Sequence, residues 1–191
     1  MYTITISRQL GSHGLTVAQK TAESLGYRLV WRDMINKAAL QSGSPEVALA
    51  LIDELGLLDI TPTPEASAAY HHAVRRLMEE MAHEGGYVIL GRAGQAILHG
   101  HPSVLHVRLY APAEHRAEQI ASIQNISVRA AAAQIAASDN HRREYLKNYY
   151  EVGWDDPHLY DLMLNTARFD PATAAALICC GLQRFEPQTT S

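Results

Sequence analysis

The sequence predicts an α/β chain built on a parallel sheet of about five strands with helices on both faces. Three observations point there. Thr3–Ile6, Tyr87–Leu90 and Val104–Tyr110 are short apolar or β-branched runs of buried-strand type; stretches with apolar residues three and four apart stand between such runs; and glycines punctuate the passage from strand to helix. Strands separated by helical crossovers run parallel and carry helices on both faces. With 191 residues, 47% of them apolar and 19% charged, the chain can bury one sizeable core and reads as a single domain over 1–191.

The elements follow in order. Thr3 to Ile6 enters Ser7-Arg8-Gln9-Leu10-Gly11-Ser12-His13-Gly14, after which Leu15, Ala18, Ala22 and Leu25 recur at helical spacing until Gly26 closes the helix. Tyr27–Val30 is a second short strand, and Asp33 to about Leu40 is amphipathic. Ser44 to Glu84 reads as mostly helical, opened by Ser44-Pro45-Glu46 and divided by Thr61-Pro62-Thr63-Pro64. Gly85-Gly86 leads into the strand Tyr87–Leu90, which ends at Gly91-Arg92. After Val104–Tyr110, Pro112-Ala113-Glu114 opens a helix that runs past Ile120. Another helix starts at Ser127 and continues through Tyr150, with a break expected near Ser138-Asp139. Leu162–Leu164 is the last strand, and Asp170-Pro171 caps a final helix that reaches about Leu182.

Composition narrows the function. A formal charge of -4 leaves no global basic field to hold a nucleic-acid backbone, so any phosphate recognition has to be local. No run approaches the ~20 apolar residues that span a bilayer, and Met1-Tyr2-Thr3-Ile4 lacks a signal-peptide layout, so a cytoplasmic protein without membrane partners is expected. Cys179 and Cys180 lie in an apolar run and read as small core residues. His99, His101 and His106 are close in sequence but have no Cys partner and no metal-binding frame, so they are not assigned a metal. The sequence sets no oligomeric state.

In an open parallel sheet, ligands gather beyond the carboxyl ends of the strands. The loop after the first strand carries Gly11, Ser12, His13, Gly14, Leu15 and Thr16, whose backbone N–H groups would face a phosphate at a helix N-terminus, with the Thr16 hydroxyl available to a magnesium ion. An ordinary strand-to-helix turn is the alternative. The phosphate-loop rule G-x-x-x-x-G-K-[ST] asks for a lysine. With Thr16 at the hydroxyl position, Gly14 stands in the lysine's place and Arg8 at the first glycine, so Arg8 becomes the candidate to supply the missing charge. Arg92, Arg116, Arg142 and Arg143 follow strands or lie in helical segments where a planar guanidinium would fit phosphate oxygens. Each could equally be a solvated surface arginine. Asp33 and Asp139 are candidates for acidic duties toward a substrate, Asp139 alternatively serving as a helix cap. The pairs His71-His72 and Tyr149-Tyr150 are assigned no chemistry.

These stretches, in this order, resemble the cytidylate-kinase-like branch of the nucleoside monophosphate kinases. Ile6-Ser7-Arg8-Gln9-x-Gly11-Ser12-x-Gly14 is similar to that family's modified phosphate loop, which likewise lacks the lysine. Val88 to Arg92 resembles the strand that ends in Gly-Arg at the acceptor nucleotide, and Leu105 to Glu118 resembles the strand and arginine-bearing helix before the lid. Asp139 to Arg143 with Tyr149-Tyr150 resembles the lid, and Trp154 to Thr166 the last strand. Two positions depart from the pattern: Ala93 stands where relatives have Asp after Gly-Arg, and Val30-Trp31 replaces a Tyr-Asp.

The resemblance implies a P-loop NTPase-like fold with a helical acceptor-side segment at 44–84 and a lid at about 121–157. It implies magnesium-dependent transfer of the γ-phosphoryl group of ATP to CMP or dCMP. In that reading residues 11–16 hold the donor, Arg92, Asp33 and Asp139 the acceptor, and Arg8, Arg116, Arg142 and Arg143 the transferring group. A nucleotide-binding regulator with weak or lost catalysis is the competing reading, and a kinase for another acceptor is a third.

Overall fold

The computed structural model describes residues 1–31 and 63–185. Its sheet contains β1 (Thr3–Arg8), β2 (Arg28–Val30), β3 (Tyr87–Leu90), β4 (Val104–Tyr110) and β5 (Leu162–Asn165), in the spatial order β2-β3-β1-β4-β5. All neighbours are parallel, and β1 is central, with Ile4 opposite both Val88 and Leu105. The helices are α1 (Gly14–Leu25), α2 (Pro64–Glu84), α3 (Gly94–Ile97), α4 (Ala113–Gln124), α5 (Val128–Tyr150) and α6 (Pro171–Gln183).

Side chains alternate across a strand with a period of two, and both faces of this sheet are covered. Ile4, Ile6, Val88, Leu90, Leu105, Val107 and Leu109 pack beneath Val17, Ala18 and Ala22 of α1 and Ala174, Ala175, Ile178 and Leu182 of α6. On the other face Val30, Tyr87, Ile89 and Val104 meet Tyr70, Val74, Met78 and Ala82 of α2 together with Ile97 and Leu98. Each fully buried aliphatic side chain stabilises the fold by about 1.5–3 kcal/mol.

That second face also takes the polar residues of β1 and β4, each of them satisfied. Thr3 Oγ1 donates to the Met81 carbonyl at 3.0 Å. His106 Nε2 lies 3.1 Å from the Leu98 carbonyl, which can only accept, so the ring proton sits on Nε2 and Nδ1 accepts from Thr5 Oγ1 at 2.6 Å. Burial lowers the His106 pKa and favours this neutral form.

Local chemistry sets the helix ends. Ser127 Oγ accepts from the Ala130 N–H at 3.2 Å, Asp170 Oδ1 from the Thr173 N–H at 2.8 Å, and Gly26 closes α1 in the left-handed region. Pro64 opens α2. The Asp33–Leu40 segment, Asp33 itself and positions 44–62 lie outside the described residues.

Three expectations are corrected. α5 has no break at Ser138-Asp139, because both side chains are buried on the face toward α4 and Asp139 is paired there. For the same reason Asp139 caps no helix; it sits in the middle of one. Cys180 is exposed and Cys179 only half-buried, since α6 turns Ala174, Ala175, Ile178 and Leu182 to the core.

Candidate functional site

The carboxyl ends of β1, β3 and β4 open on one edge of the sheet. β1 ends at Arg8, and Gln9 ties the next loop to β4 by accepting the Ala111 N–H on Oε1 at 3.0 Å. The Ser12 hydroxyl donates to the Gln9 carbonyl at 2.8 Å, closing a tight turn. Gly11 has φ +82° and lies so close to α4 that a Cβ there would stand 2.8 Å from the Arg116 carbonyl oxygen. His13, at φ 55°, turns the chain into α1, whose first bond runs from the Val17 N–H to the His13 carbonyl at 3.0 Å. The amides of Gly14, Leu15 and Thr16 therefore precede the intrahelical ladder, the arrangement that suits a helix N-terminus to an anion. Thr16 is exposed on this first turn.

Position 14 accommodates no side chain. A Cβ on Gly14 would lie 2.5 Å from Arg8 Cγ and 2.7 Å from Arg8 Cβ, so the Arg8 stem fills the space that a residue at the lysine position would use. The Arg8 guanidinium continues to the end of β3, where a Cβ on Gly91 would collide with Nη1 and come within 3.2 Å of Cζ. Arg8 thus spans the two glycines, from the phosphate loop to the residue before Arg92.

Gly91, Arg92 and Ala93 are all left-handed, with φ of 83°, 59° and 55°. This turn presses Gly94 onto the sheet, leaving a hypothetical Cβ 2.9 Å from Thr5 Cγ2. Holding Arg92 and Ala93 in this region costs about 1–2 kcal/mol each. The half-buried Arg92 lies near an aromatic group drawn from α2 and α5. His71 stacks on Tyr149 with ring centroids 4.2 Å apart, and its Nδ1 is 3.1 Å from the Tyr150 hydroxyl. Burial, with the Arg92 and Arg75 charges, lowers the His71 pKa to about 4, and burial raises those of Tyr70, Tyr145 and Tyr150. A cavity of about 500 Å³, lined by Pro64, Ser67, Ala68, His71 and Tyr149, adjoins this group.

Arg116 and Asp139 are both buried and bound to each other, Nη1 to Oδ1 at 3.2 Å and Nη2 to Oδ2 at 2.9 Å. Arg116 also donates from Nε to the Ala111 carbonyl at 3.0 Å and from Nη1 to the Leu10 carbonyl at 3.3 Å. The pair therefore clamps α5 to α4 and holds the loop after β1 from behind through the Leu10 carbonyl.

Arg142 and Arg143 lie beside the α5–β5 connection. The Arg142 guanidinium is 5.8 Å from the Trp154 ring centroid, and Arg143 Nε lies 3.3 Å from Asp155 Oδ2. Trp154 Nε1 donates to Ser7 Oγ at 3.0 Å, which fixes this loop to the end of β1. Beneath it, Arg108 of β4 is 2% exposed; it donates to the Trp154 carbonyl at 2.6 Å, the Tyr160 hydroxyl at 3.2 Å and Asp155 Oδ1 at 2.5 Å, with Cζ 4.3 Å from the Trp154 ring centroid.

The structure thus brings Arg8, residues 11–16 and Arg92 to one edge, sets Arg142 and Arg143 of α5 against a loop anchored to Ser7 beside Arg8, and joins Arg116 to Asp139. Sequence reasoning passed over Arg108, Trp154, Asp155 and the His71–tyrosine group. A signal existed for Arg108, a charge inside the apolar strand Val104–Tyr110, but its partners are distant in sequence. Among the described residues no group of three or more His, Cys, Asp or Glu side chains could hold a metal ion. Magnesium needs few protein ligands when phosphate oxygens and water complete its shell, so the single exposed Thr16 hydroxyl at the loop fits such a role. No helix among the described residues is long and apolar enough to cross a membrane.

Known proteins share the sequence pattern and the fold of this chain. The profile of the cytidylate kinase-like family matches residues 3–168. Cytidylate kinase of Pyrococcus horikoshii is 29% identical over 186 residues, covering 96% of this chain and 90% of the relative. That of Haloarcula marismortui is 25% identical over 186 residues, covering 96% and 91%. Among solved structures, an uncharacterized protein from Eubacterium ventriosum superposes with a TM-score of 0.76 at 18% identity, covering 96% and 99% of the two chains. Shikimate kinase from Acinetobacter baumannii superposes at 0.56 and 12% identity, covering 96% and 94%, and a gluconokinase from Sinorhizobium meliloti at 0.59 and 15%, covering 97% and 93%. These structural likenesses show a shared α/β fold.

Proposed function

The chain belongs to the cytidylate kinase-like family, and from that premise we propose that it transfers the γ-phosphoryl group of ATP to a nucleoside monophosphate, CMP or dCMP. The observation that carries the proposal is the course of Arg8, whose stem occupies the space of the absent lysine side chain and whose guanidinium reaches Gly91 beside Arg92. A cation there lies between a donor phosphate on the loop and an acceptor phosphate at Arg92.

The chemistry needs little else from the protein than position and charge. An oxygen of the acceptor phosphate attacks the γ-phosphorus while the bond to the β–γ bridging oxygen breaks, and ADP leaves with that electron pair. Charge spreads over the three equatorial oxygens in the transition state. Arg8, Arg142 and Arg143 neutralise it, Arg92 holds the acceptor, and the amides of Gly11 to Thr16 hold the donor. Magnesium, held by Thr16 and the donor phosphates, would offset charge on the phosphate oxygens. Arg116 and Asp139 support the loop from behind through Leu10 and do not meet the reacting atoms. Closure of the α5 segment over the site would exclude water, which would otherwise take the phosphoryl group.

A coupled assay of purified protein with ATP, magnesium and a panel of monophosphates tests this. Turnover greatest with CMP or dCMP is expected. Turnover with another acceptor would replace the substrate assignment, and ATP binding without turnover on any acceptor would sink the enzyme reading in favour of a nucleotide-binding regulator.

A further inference from the structure

Arg108 is buried and cationic, yet the carboxylate paired with it belongs to Asp155, whose side chain is 59% exposed. A buried charge held by a mostly solvated partner is an unusual use of both, because the pair gives up solvation on one side without gaining a dry ion pair on the other. Its neighbours show what the arrangement connects. The Trp154 ring has the Arg108 guanidinium 4.3 Å and the Arg142 guanidinium 5.8 Å from its centroid. The Asp155 carboxylate takes Arg108 on one oxygen and Arg143 on the other. Two consecutive loop residues thus each join Arg108, fixed in the sheet, to one arginine of α5. Trp154 Nε1 adds a bond to Ser7, the residue before Arg8.

We propose that Trp154 and Asp155 are positioning residues that couple Arg142 and Arg143, through Arg108, to the end of the sheet that carries Arg8. The inference rests on the phosphoryl-transfer reading for its kinetic consequence, though the coupling itself is a property of the free protein. Without the two bridges the α5 arginines would lose their tie to the sheet, Arg143 keeping its bond to Asn140 Oδ1 of its own helix at 3.0 Å, and their alignment with a phosphoryl group between Arg8 and Arg92 would be lost. Orientation of this kind acts on the transition state more than on ground-state binding.

Two measurements test the coupling. In steady-state kinetics, Asp155→Asn and Arg143→Ala should each lower kcat by about tenfold or more while the KM for ATP changes less than about threefold. The double variant should be no slower than Arg143→Ala alone, because that variant already removes the guanidinium that Asp155 positions. Multiplicative losses, or an Asp155→Asn kcat within about twofold of wild type, would overturn the proposal. Asp155→Glu, which keeps the charge but moves the carboxylate by one methylene, should lower kcat likewise and keeps the test available if Asp155→Asn fails to fold.

The second measurement needs no turnover. The chain has two tryptophans, so in a Trp31→Phe background the emission reports Trp154 alone. ATP should change that emission as its phosphates draw on the Arg142 guanidinium beside the ring, and Asp155→Asn should reduce the change by about half or more. An emission that ignores ATP, or responds equally in both proteins, refutes the coupling. An ATP response that Asp155→Asn diminishes, in a protein that phosphorylates no monophosphate, supports the coupling and refutes the proposed function instead.

Discussion

Asp139→Asn should unfold this protein many degrees early, and the reason lies in what Arg116 would be left holding. Both side chains are buried, and the carboxylate receives two of the guanidinium's hydrogen bonds, at 3.2 and 2.9 Å. Asparagine keeps the shape and one accepting oxygen but removes the negative charge and turns the other oxygen into an NH2 donor facing the guanidinium, leaving a buried cation with no counter-charge in this contact. Breaking a buried pair from one side costs about 3–5 kcal/mol. For a chain of this length each kcal/mol moves Tm by about 2–4 °C, so the midpoint should fall by about 6–20 °C. Circular dichroism melts and urea titrations measure this directly. Replacing both partners, Arg116→Met with Asp139→Leu, removes the stranded charge and should recover most of the loss. A single-variant cost below about 1 kcal/mol, the range of an exposed pair, would refute the claim that this contact is a dry clamp.

Arg8→Ala should lower turnover by ~10²–10³ with a smaller effect on folding, and Arg8→Lys should recover only part of it; a change of less than about threefold in both would remove Arg8 from the mechanism. Gly14→Ala places a Cβ 2.5 Å from Arg8 Cγ, so it should displace the arginine and reduce phosphoryl transfer toward the Arg8→Ala level, whereas a fully active Gly14→Ala would show that the course of Arg8 is immaterial. His71 is neutral in the fold down to about pH 4, while in the unfolded chain it protonates near 6.5. The unfolded state therefore binds the extra proton between these values and stability falls as pH drops from 7 to 4, by less than the full shift would give because the partly exposed ring is screened by solvent. Urea unfolding of wild type and His71→Phe at pH 7 and 4.5 should show a shallower pH slope in the variant, and equal slopes would contradict the burial of His71. Sulfate or phosphate in crystals should sit on the amides of Gly14, Leu15 and Thr16, and a carbonyl turned into that loop would count against it.

The strand and helix order was legible because it depends on local pattern. Ile4 and Ile6 alternate with Thr3, Thr5 and Ser7, and Leu105, Val107 and Leu109 with His106 and Arg108, so the two faces of β1 and β4 can be assigned by period alone. Leu15 to Gly26 carries helical spacing and its own stop signal. The false break at Ser138-Asp139 came from treating a mid-helix Asp as a local signal, when its partner on α4 is 23 positions away. Cys180 was misjudged because an apolar run does not say which of its residues turn inward.

The sequence by itself determined that the chain forms a parallel α/β fold, that a glycine-bearing loop follows the first strand, that this loop lacks a lysine, and that arginines stand at or just past the ends of the first and third strands. These are matters of residue type and spacing along the chain. Tertiary structure alone decided what each arginine does. Arg8 crosses Gly14 to reach Gly91. Arg116 turns inward to Asp139, and Arg108 links Trp154 and Asp155 to the sheet. A guanidinium sits at the end of a long, rotatable stem, so its partner is set by which carboxylates, carbonyls and rings other elements bring within a few ångströms, and no period in the sequence encodes that distance.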